Sequence, residues 1–157
     1  MPVSVGPRGA VSGAILAGGR ARRFGGRDKS ALIVGGRRIL DRQLDVLAHF
    51  TDDRMVVGGA PRRDLPPGVV AIEDRIADAG PLAGICAALG QAAAPIVIVL
   101  ACDLPFVDVP LLEGLLQALR QADADVALPR DAKGWHPLCA CYCTRTLPVL
   151  EALSLIH

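Results

Sequence analysis

Aromatic residues are scarce: one tryptophan, one tyrosine and three phenylalanines, 3% of a 157-residue chain. The interior implied by a hydrophobic fraction of 52% must then be assembled from Leu, Val, Ile and Ala. Long apolar runs are missing too. The longest, residues 95–101, stops at Cys102-Asp103 and is far shorter than the ~20 residues that cross a bilayer. The N-terminal residues lack the apolar core of a secretory signal, so a cytoplasmic location is expected. Net charge is nearly absent, +1 at pH 7, which argues against a broad nucleic-acid surface. Five cysteines, an odd number, do not suit a disulfide framework. Cys139, Cys141 and Cys143 alternate and would share one strand face. With no second Cys/His group at zinc spacing, they read as small core residues rather than metal ligands. No repeat, low-complexity tract or linker divides the chain, and its length suits one domain over residues 11–157 behind a tail of residues 1–10.

What is present is an alternation of short apolar runs with segments of helical periodicity. Val11–Leu16 reads as a first strand, and residues 31–34 and 37–40 flank Gly35-Gly36 as a small hairpin. Ile39, Leu40, Leu44, Leu47 and Phe50 fall at helical spacing. Arg54–Val57 and Val69–Ile72 are strand candidates, and Pro81 suits the first turn of a helix through Leu82, Ile85, Ala88 and Leu89. Residues 95–101 form a run rich in β-branched side chains without alternation, the signature of a strand buried on both faces. A helix is expected over 111–119, strands over 126–128 and 137–142, and a last helical segment over 147–153. Such alternation implies an α/β domain with a mainly parallel sheet. Ligands bind these sheets beyond the carboxyl ends of the strands, which puts the loop after the first strand and Asp103 on one rim.

That loop, Leu16-Ala-Gly-Gly-Arg-Ala-Arg-Arg-Phe-Gly-Gly-Arg-Asp-Lys29, crowds Arg20, Arg22, Arg23 and Arg27 among glycines. Arginines so placed repel one another unless they face a polyanion, and their local concentration suits a small one. The glycines at 18, 19, 25 and 26 lack the Gly-x-Gly-x-x-Gly spacing of dinucleotide binding. A P-loop fails as well, since Asp28 precedes Lys29 and Arg23 stands where its first glycine belongs. Leu-Ala-Gly-Gly, a basic segment and Gly-Gly-x-Asp-Lys instead resemble the nucleotidyltransferases, and among them the molybdenum cofactor guanylyltransferase (MobA-like) family. Further on, Ile72-Glu-Asp74 with Asp78-Ala-Gly-Pro-Leu-Ala-Gly84, Cys102-Asp-Leu-Pro105 and His136-Pro-Leu138 resemble the family's remaining motifs, in the family's order.

The resemblance implies a three-layer Rossmann-like nucleotidyltransferase domain. It would transfer GMP from Mg-GTP to molybdopterin, release pyrophosphate and form the guanine dinucleotide cofactor, which cofactor-delivery proteins and molybdoenzymes would receive. Such chemistry asks a protein to neutralise charge and align groups. Lys29, one of two lysines in the chain, would stabilise charge near the α-phosphate, and Arg23, with Arg20 and Arg22, would hold the departing phosphates. Asp103, at the end of the most buried strand, is the candidate Mg²⁺ ligand; otherwise it caps the helix after Pro105. Leu16, Ala17, Gly18, Gly19, Asp74, Gly80 and Gly84 complete the candidate nucleotide site. Asp74 and Asp78 are open to turn-forming roles, and Gly84 equally to tight helix–sheet packing. Trp135 and His136, between two expected strands, would meet a pterin or serve structure.

The chain departs from the family in two places. Val57-Gly58-Gly59 stands where an asparagine is common, and the end at Ser154-Leu-Ile-His157 stands where members usually continue into an Asn-x-Asn-Thr-Pro segment. A form lacking that C-terminal segment is expected. Two other functions stay open: a cytidylyl- or sugar-nucleotidyltransferase, separated by nucleotide preference, and a non-catalytic nucleotide- or cofactor-binding module, separated by turnover.

Overall fold

The computed structural model describes residues 10–18, 29–59, 63–73 and 80–155. In chain order the elements are β1 (Val11–Leu16), a hairpin of β2 (Ile33–Val34) and β3 (Arg37–Arg38), α1 (Ile39–Ala48), β4 (Arg54–Val57) and β5 (Val69–Ile72). There follow α2 (Pro81–Gln91), β6 (Ile96–Ala101), α3 (Val109–Gln121), β7 (Val126–Ala127), a hairpin of β8 (Arg130–Asp131) and β9 (Gly134–Trp135), β10 (Cys139–Cys143) and α4 (Leu147–Ser154). Six strands make the central sheet in the order β5-β4-β1-β6-β10-β7. The first four run parallel to one another, while β10 is antiparallel to both of its neighbours. The mainly parallel α/β architecture expected from the sequence is what forms.

Burial explains the layering. β6 has no polar face: Ile98 and Leu100 enter one core, Val97 and Val99 the other. The first core is closed by Leu40, Leu44 and Leu47 of α1 and by Leu112, Leu115, Leu116 and Leu119 of α3. The second is closed by Ile85, Ala88 and Leu89 of α2, with Leu147 and Leu150 of α4 against it. β10 splits its side chains the same way, Cys139, Cys141 and Cys143 to the first core, Ala140 and Tyr142 to the second. Burial raises the pKa of all three of these thiols and pushes Cys141 up to about 12. They are protonated, apolar fillers, and all five cysteines are free.

Several boundaries differ from expectation. The first hairpin is shorter, because Ile39 and Leu40 are drawn into α1, where both are buried. Its turn requires glycine twice, with φ of 58° at Gly35 and 77° at Gly36. α3 starts earlier than 111 because Asp108 caps it, its Oδ1 accepting from Leu111 N at 3.0 Å. The β8–β9 hairpin was not expected, and Trp135 lies within it rather than between strands.

A Cβ placed on Gly13, in the middle of β1, would stand 3.0 Å from both Leu47 methyls. Gly13→Ala should therefore lower the unfolding free energy by about 1–3 kcal/mol through overpacking. Leu47→Ala should lower it by about 2–5 kcal/mol by leaving a cavity. Urea unfolding of the double variant should show less than the sum, since each change relieves the other.

Candidate active site at the carboxyl edge of the sheet

Parallel pairing brings Leu16, Val57, Ile72 and Ala101 to one edge, with Leu16 level with Ala101 and Val57, and Val57 level with Ile72. The chain leaves that edge under hydrogen-bond control. Ala17 N donates to Val57 O at 2.8 Å, Gly58 N to Ile72 O at 2.7 Å, Cys102 N to Leu16 O at 3.1 Å and Ala101 N to Leu138 O at 2.7 Å. Leu16 and Ala17 are buried, so what they bring to the rim is backbone, and Gly18 is the first partly exposed residue after them. Gly58 and Gly59 leave β4 with φ of 74° and 82°, a conformation that glycine adopts freely and that asparagine tolerates better than most residues.

Beyond β6 the chain turns. Cys102 points into the core with no exposure, and the next residue, Asp103, faces outward. Asp103 does not cap the following helix, since that place belongs to Asp108. Lys29 opens a short 3₁₀ turn, Lys29–Ala31, anchored by the fully buried Ser30. Its ammonium Nζ lies 3.7 Å from Asp103 Oδ2, with the two side chains 24% and 44% exposed. An ion pair this open to solvent contributes about 0–1 kcal/mol, so little free energy opposes its rearrangement around a ligand.

Gly80, exposed and at φ 82°, forms the N-cap of α2 without a side-chain cap, and Pro81 follows in the first turn. Gly84 is buried, and a Cβ there would stand 3.4 Å from Leu16 Cδ2. That is ordinary van der Waals distance, so Gly84 packs beside the end of β1 with room for a methyl group. Gly19, Arg20, Arg22, Arg23, Arg27, Asp74 and Asp78 lie outside the described residues.

A second group borders the same edge. Leu138, whose carbonyl takes the Ala101 N–H, follows the β8–β9 hairpin directly. There Trp135 is 61% exposed, with the Arg130 guanidinium 5.2 Å from its ring centroid. His136 Nε2 lies 2.9 Å from Asp131 Oδ2, and this hydrogen bond, with further help from Lys133 N–H, holds the Asp131 carboxyl below the usual range. Neither Trp135 nor His136 is a core residue.

Sequence reading passed over Gln43. It is fully buried in α1 and its Nε2 donates to Ala101 O at 2.6 Å and to Leu104 O at 3.3 Å. The signal was there: Gln43 is the one polar residue in the helical stripe Ile39, Leu40, Gln43, Leu44, Leu47.

Residues 13–156 match the MobA-like NTP transferase domain. The chain is similar to the molybdenum cofactor guanylyltransferase of Desulfosudis oleivorans, 36% identical over 142 residues that cover 90% of this chain and 70% of that protein. It is 34% identical to the molybdenum cofactor guanylyltransferase of Pseudomonas entomophila over 142 residues, covering 87% of this chain and 72% of that one. Among solved structures it resembles molybdopterin-guanine dinucleotide biosynthesis protein A from Archaeoglobus fulgidus, with a TM-score of 0.69, 27% identity and coverage of 92% and 73% of the two chains. It shares its fold with 2-C-methyl-D-erythritol 4-phosphate cytidylyltransferase from Thermus thermophilus, at a TM-score of 0.67 and 22% identity over 93% and 76% of the two chains. The chain belongs to the MobA-like NTP transferase domain family, and so to the nucleotidyltransferase enzymes.

Proposed function

We propose that the chain transfers GMP from Mg-GTP to molybdopterin, releasing pyrophosphate and forming the guanine dinucleotide cofactor. The observation that carries this is the meeting of Lys29 and Asp103 at the carboxyl edge, an ammonium and a carboxylate from separate segments, both partly exposed and 3.7 Å apart. The choice of guanine and of molybdopterin rests on the names of the relatives.

The donor set at Asp103 fits Mg²⁺. Magnesium takes one or two carboxylates and fills its octahedron with phosphate oxygens and water. Asp103 supplies one partly exposed carboxylate, and among the described residues no group of three His, Cys, Asp or Glu offers a softer metal a dedicated cage. Bound there, Mg²⁺ would neutralise charge on the triphosphate and polarise the α-phosphate.

The remaining work falls to the protein. Lys29 exchanges its weak pairing with Asp103 for the α-phosphate, where negative charge builds as an acceptor phosphate oxygen attacks. The new bond joins that oxygen to the α-phosphorus. The bond from the α-phosphorus to the α–β bridging oxygen breaks, and pyrophosphate leaves with the electron pair. Arg23 is assigned to the departing pyrophosphate, and Gly19 and Asp74 to the nucleotide, from their places in the motifs. Leu16, Ala17, Gly18, Gly80 and Gly84 are assigned to the nucleotide from their places in the motifs; Leu16 O and Ala17 N are already bonded to Cys102 N and Val57 O, which holds this segment in place beside it. The acceptor would approach from the β8–β9 side, with the exposed ring of Trp135 as a stacking surface and His136, paired with Asp131, as a hydrogen-bond donor.

Calorimetry with Mg²⁺ complexes of GTP, CTP, ATP and UTP should find GTP preferred, and Asp103→Asn should weaken its Mg²⁺-dependent binding at least about tenfold. Lys29→Ala should slow turnover by about 10²–10³-fold. Preference for CTP would move the protein to cytidylyl transfer, binding indifferent to Asp103 would overturn the metal assignment, and binding without turnover would leave a nucleotide-binding module. On the acceptor side, His136→Ala should return the Asp131 carboxyl pKa toward its ordinary value, as read by NMR titration. It should weaken acceptor binding and leave GTP binding unchanged.

A further inference from the structure

An amide buried as deeply as that of Gln43 is disfavoured unless its polar atoms are paired. One half is paired, through the two bonds from Nε2 to Ala101 O and Leu104 O. The other half is not: Oε1 is buried and has no hydrogen-bond partner among the described residues. Methionine or leucine would fill the same place without burying Oε1 unpaired, at the cost of the donor to Ala101 O and Leu104 O. What the amide supplies is therefore its donor half.

The two carbonyls it holds are the two ends of the turn that carries Asp103. A single nitrogen, with one hydrogen for each carbonyl, fixes the separation of those ends. From β1, Leu16 O holds the same turn through Cys102 N. The helix also reaches the opposite half of the site. Ile39 N, at the first position of α1, donates to Leu32 O at 2.9 Å, and Leu32 N donates to Lys29 O at 3.2 Å. Ile39 and Gln43 are one helical turn apart on the same face. A rigid turn of helix thus connects the segment bearing Lys29 to the segment bearing Asp103.

We propose that Gln43 is a positioning residue for nucleotidyl transfer: its clamp on Ala101 O and Leu104 O sets the Asp103 carboxylate where a metal–nucleotide complex needs it, at a fixed place relative to Lys29. This rests on the Mg-nucleotide reading of Asp103. Gln43 itself touches neither metal nor substrate.

Gln43→Met keeps the shape and removes the donor. In the ligand-free protein, amide exchange at Cys102 should accelerate about tenfold, the loss of one ordinary hydrogen bond, with exchange at Ile15 and Val99 unchanged. The Mg²⁺ concentration for half-maximal GTP binding should rise about tenfold, while GTP affinity without Mg²⁺ stays as in the parent. If Gln43→Met does not fold by far-UV circular dichroism, Gln43→His, which keeps one ring N–H at similar reach, should give intermediate values of both. Unchanged exchange at Cys102 overturns the clamp. Faster exchange with an unchanged Mg²⁺ requirement, or equal loss of GTP binding with and without Mg²⁺, overturns the positioning role in favour of a purely structural one. A parent chain without Mg²⁺-dependent GTP binding overturns the nucleotide reading and the positioning role with it, and is told apart from a failed clamp because exchange is read with no ligand present.

Discussion

β1 and β6 pair in parallel from Val11 level with Ile96 to Leu16 level with Ala101, and both are buried along nearly their whole length. Two strands enclosed between helical layers can carry no charge until they end. Where they do end, the backbone still has donors and acceptors that would be stranded in the core without partners. The exit turn is consequently dense with bonds, to Leu16 from one side, to Leu138 from the other and to Gln43 from above. Asp103 is the first position past β6 where an ionised side chain reaches water, and it inherits the rigidity of everything bonded around it. The placement of a reactive edge is thus a by-product of how a doubly covered parallel sheet must terminate.

The bonds at this edge differ in kind. Those that locate the turn carrying Asp103 are hydrogen bonds to backbone carbonyls, 2.6–3.3 Å long. The one that joins Asp103 to Lys29 is longer and wet. Stiffness in the frame and looseness between the charged tips suit the proposed nucleotide site: the carboxylate and the ammonium arrive already positioned, and their pairing with each other is weak.

Much of this is legible in the sequence. The run ending at Ala101 declared itself as a central strand by lacking alternation, and Arg54–Val57 and Val69–Ile72 emerge with the bounds read from their apolar residues. Leu16, Asp103 and Lys29 were placed on one rim from strand order and motif, and the described structure brings Lys29 and Asp103 within 3.7 Å. What escaped has physical reasons. β8 and β9 are two residues each and carry polar or exposed side chains, so neither periodicity nor hydrophobicity marks them. The start of α3 was missed because Pro110 and Val109 hide a helix whose signal is the Asp108 cap. Gln43 escaped because a polar residue on an apolar stripe looks like noise until its partners, two carbonyls far along the chain, are seen.

β8 and β9 form a sheet of their own, hydrogen-bonded to each other and outside the ladder of the central six strands. The hairpin is attached to the body through its two ends, with His136 N on Pro129 O closing its base at 3.0 Å. Lengthening its tip around Ala132 and Lys133 would add loop entropy that grows only logarithmically with length, and would disturb no core contact. Whatever molecule this hairpin meets, the residues that meet it can be exchanged as a cassette. The domain is in this sense divided along its sheet edge into a chassis built into the core and a fitting that can be replaced without rebuilding it.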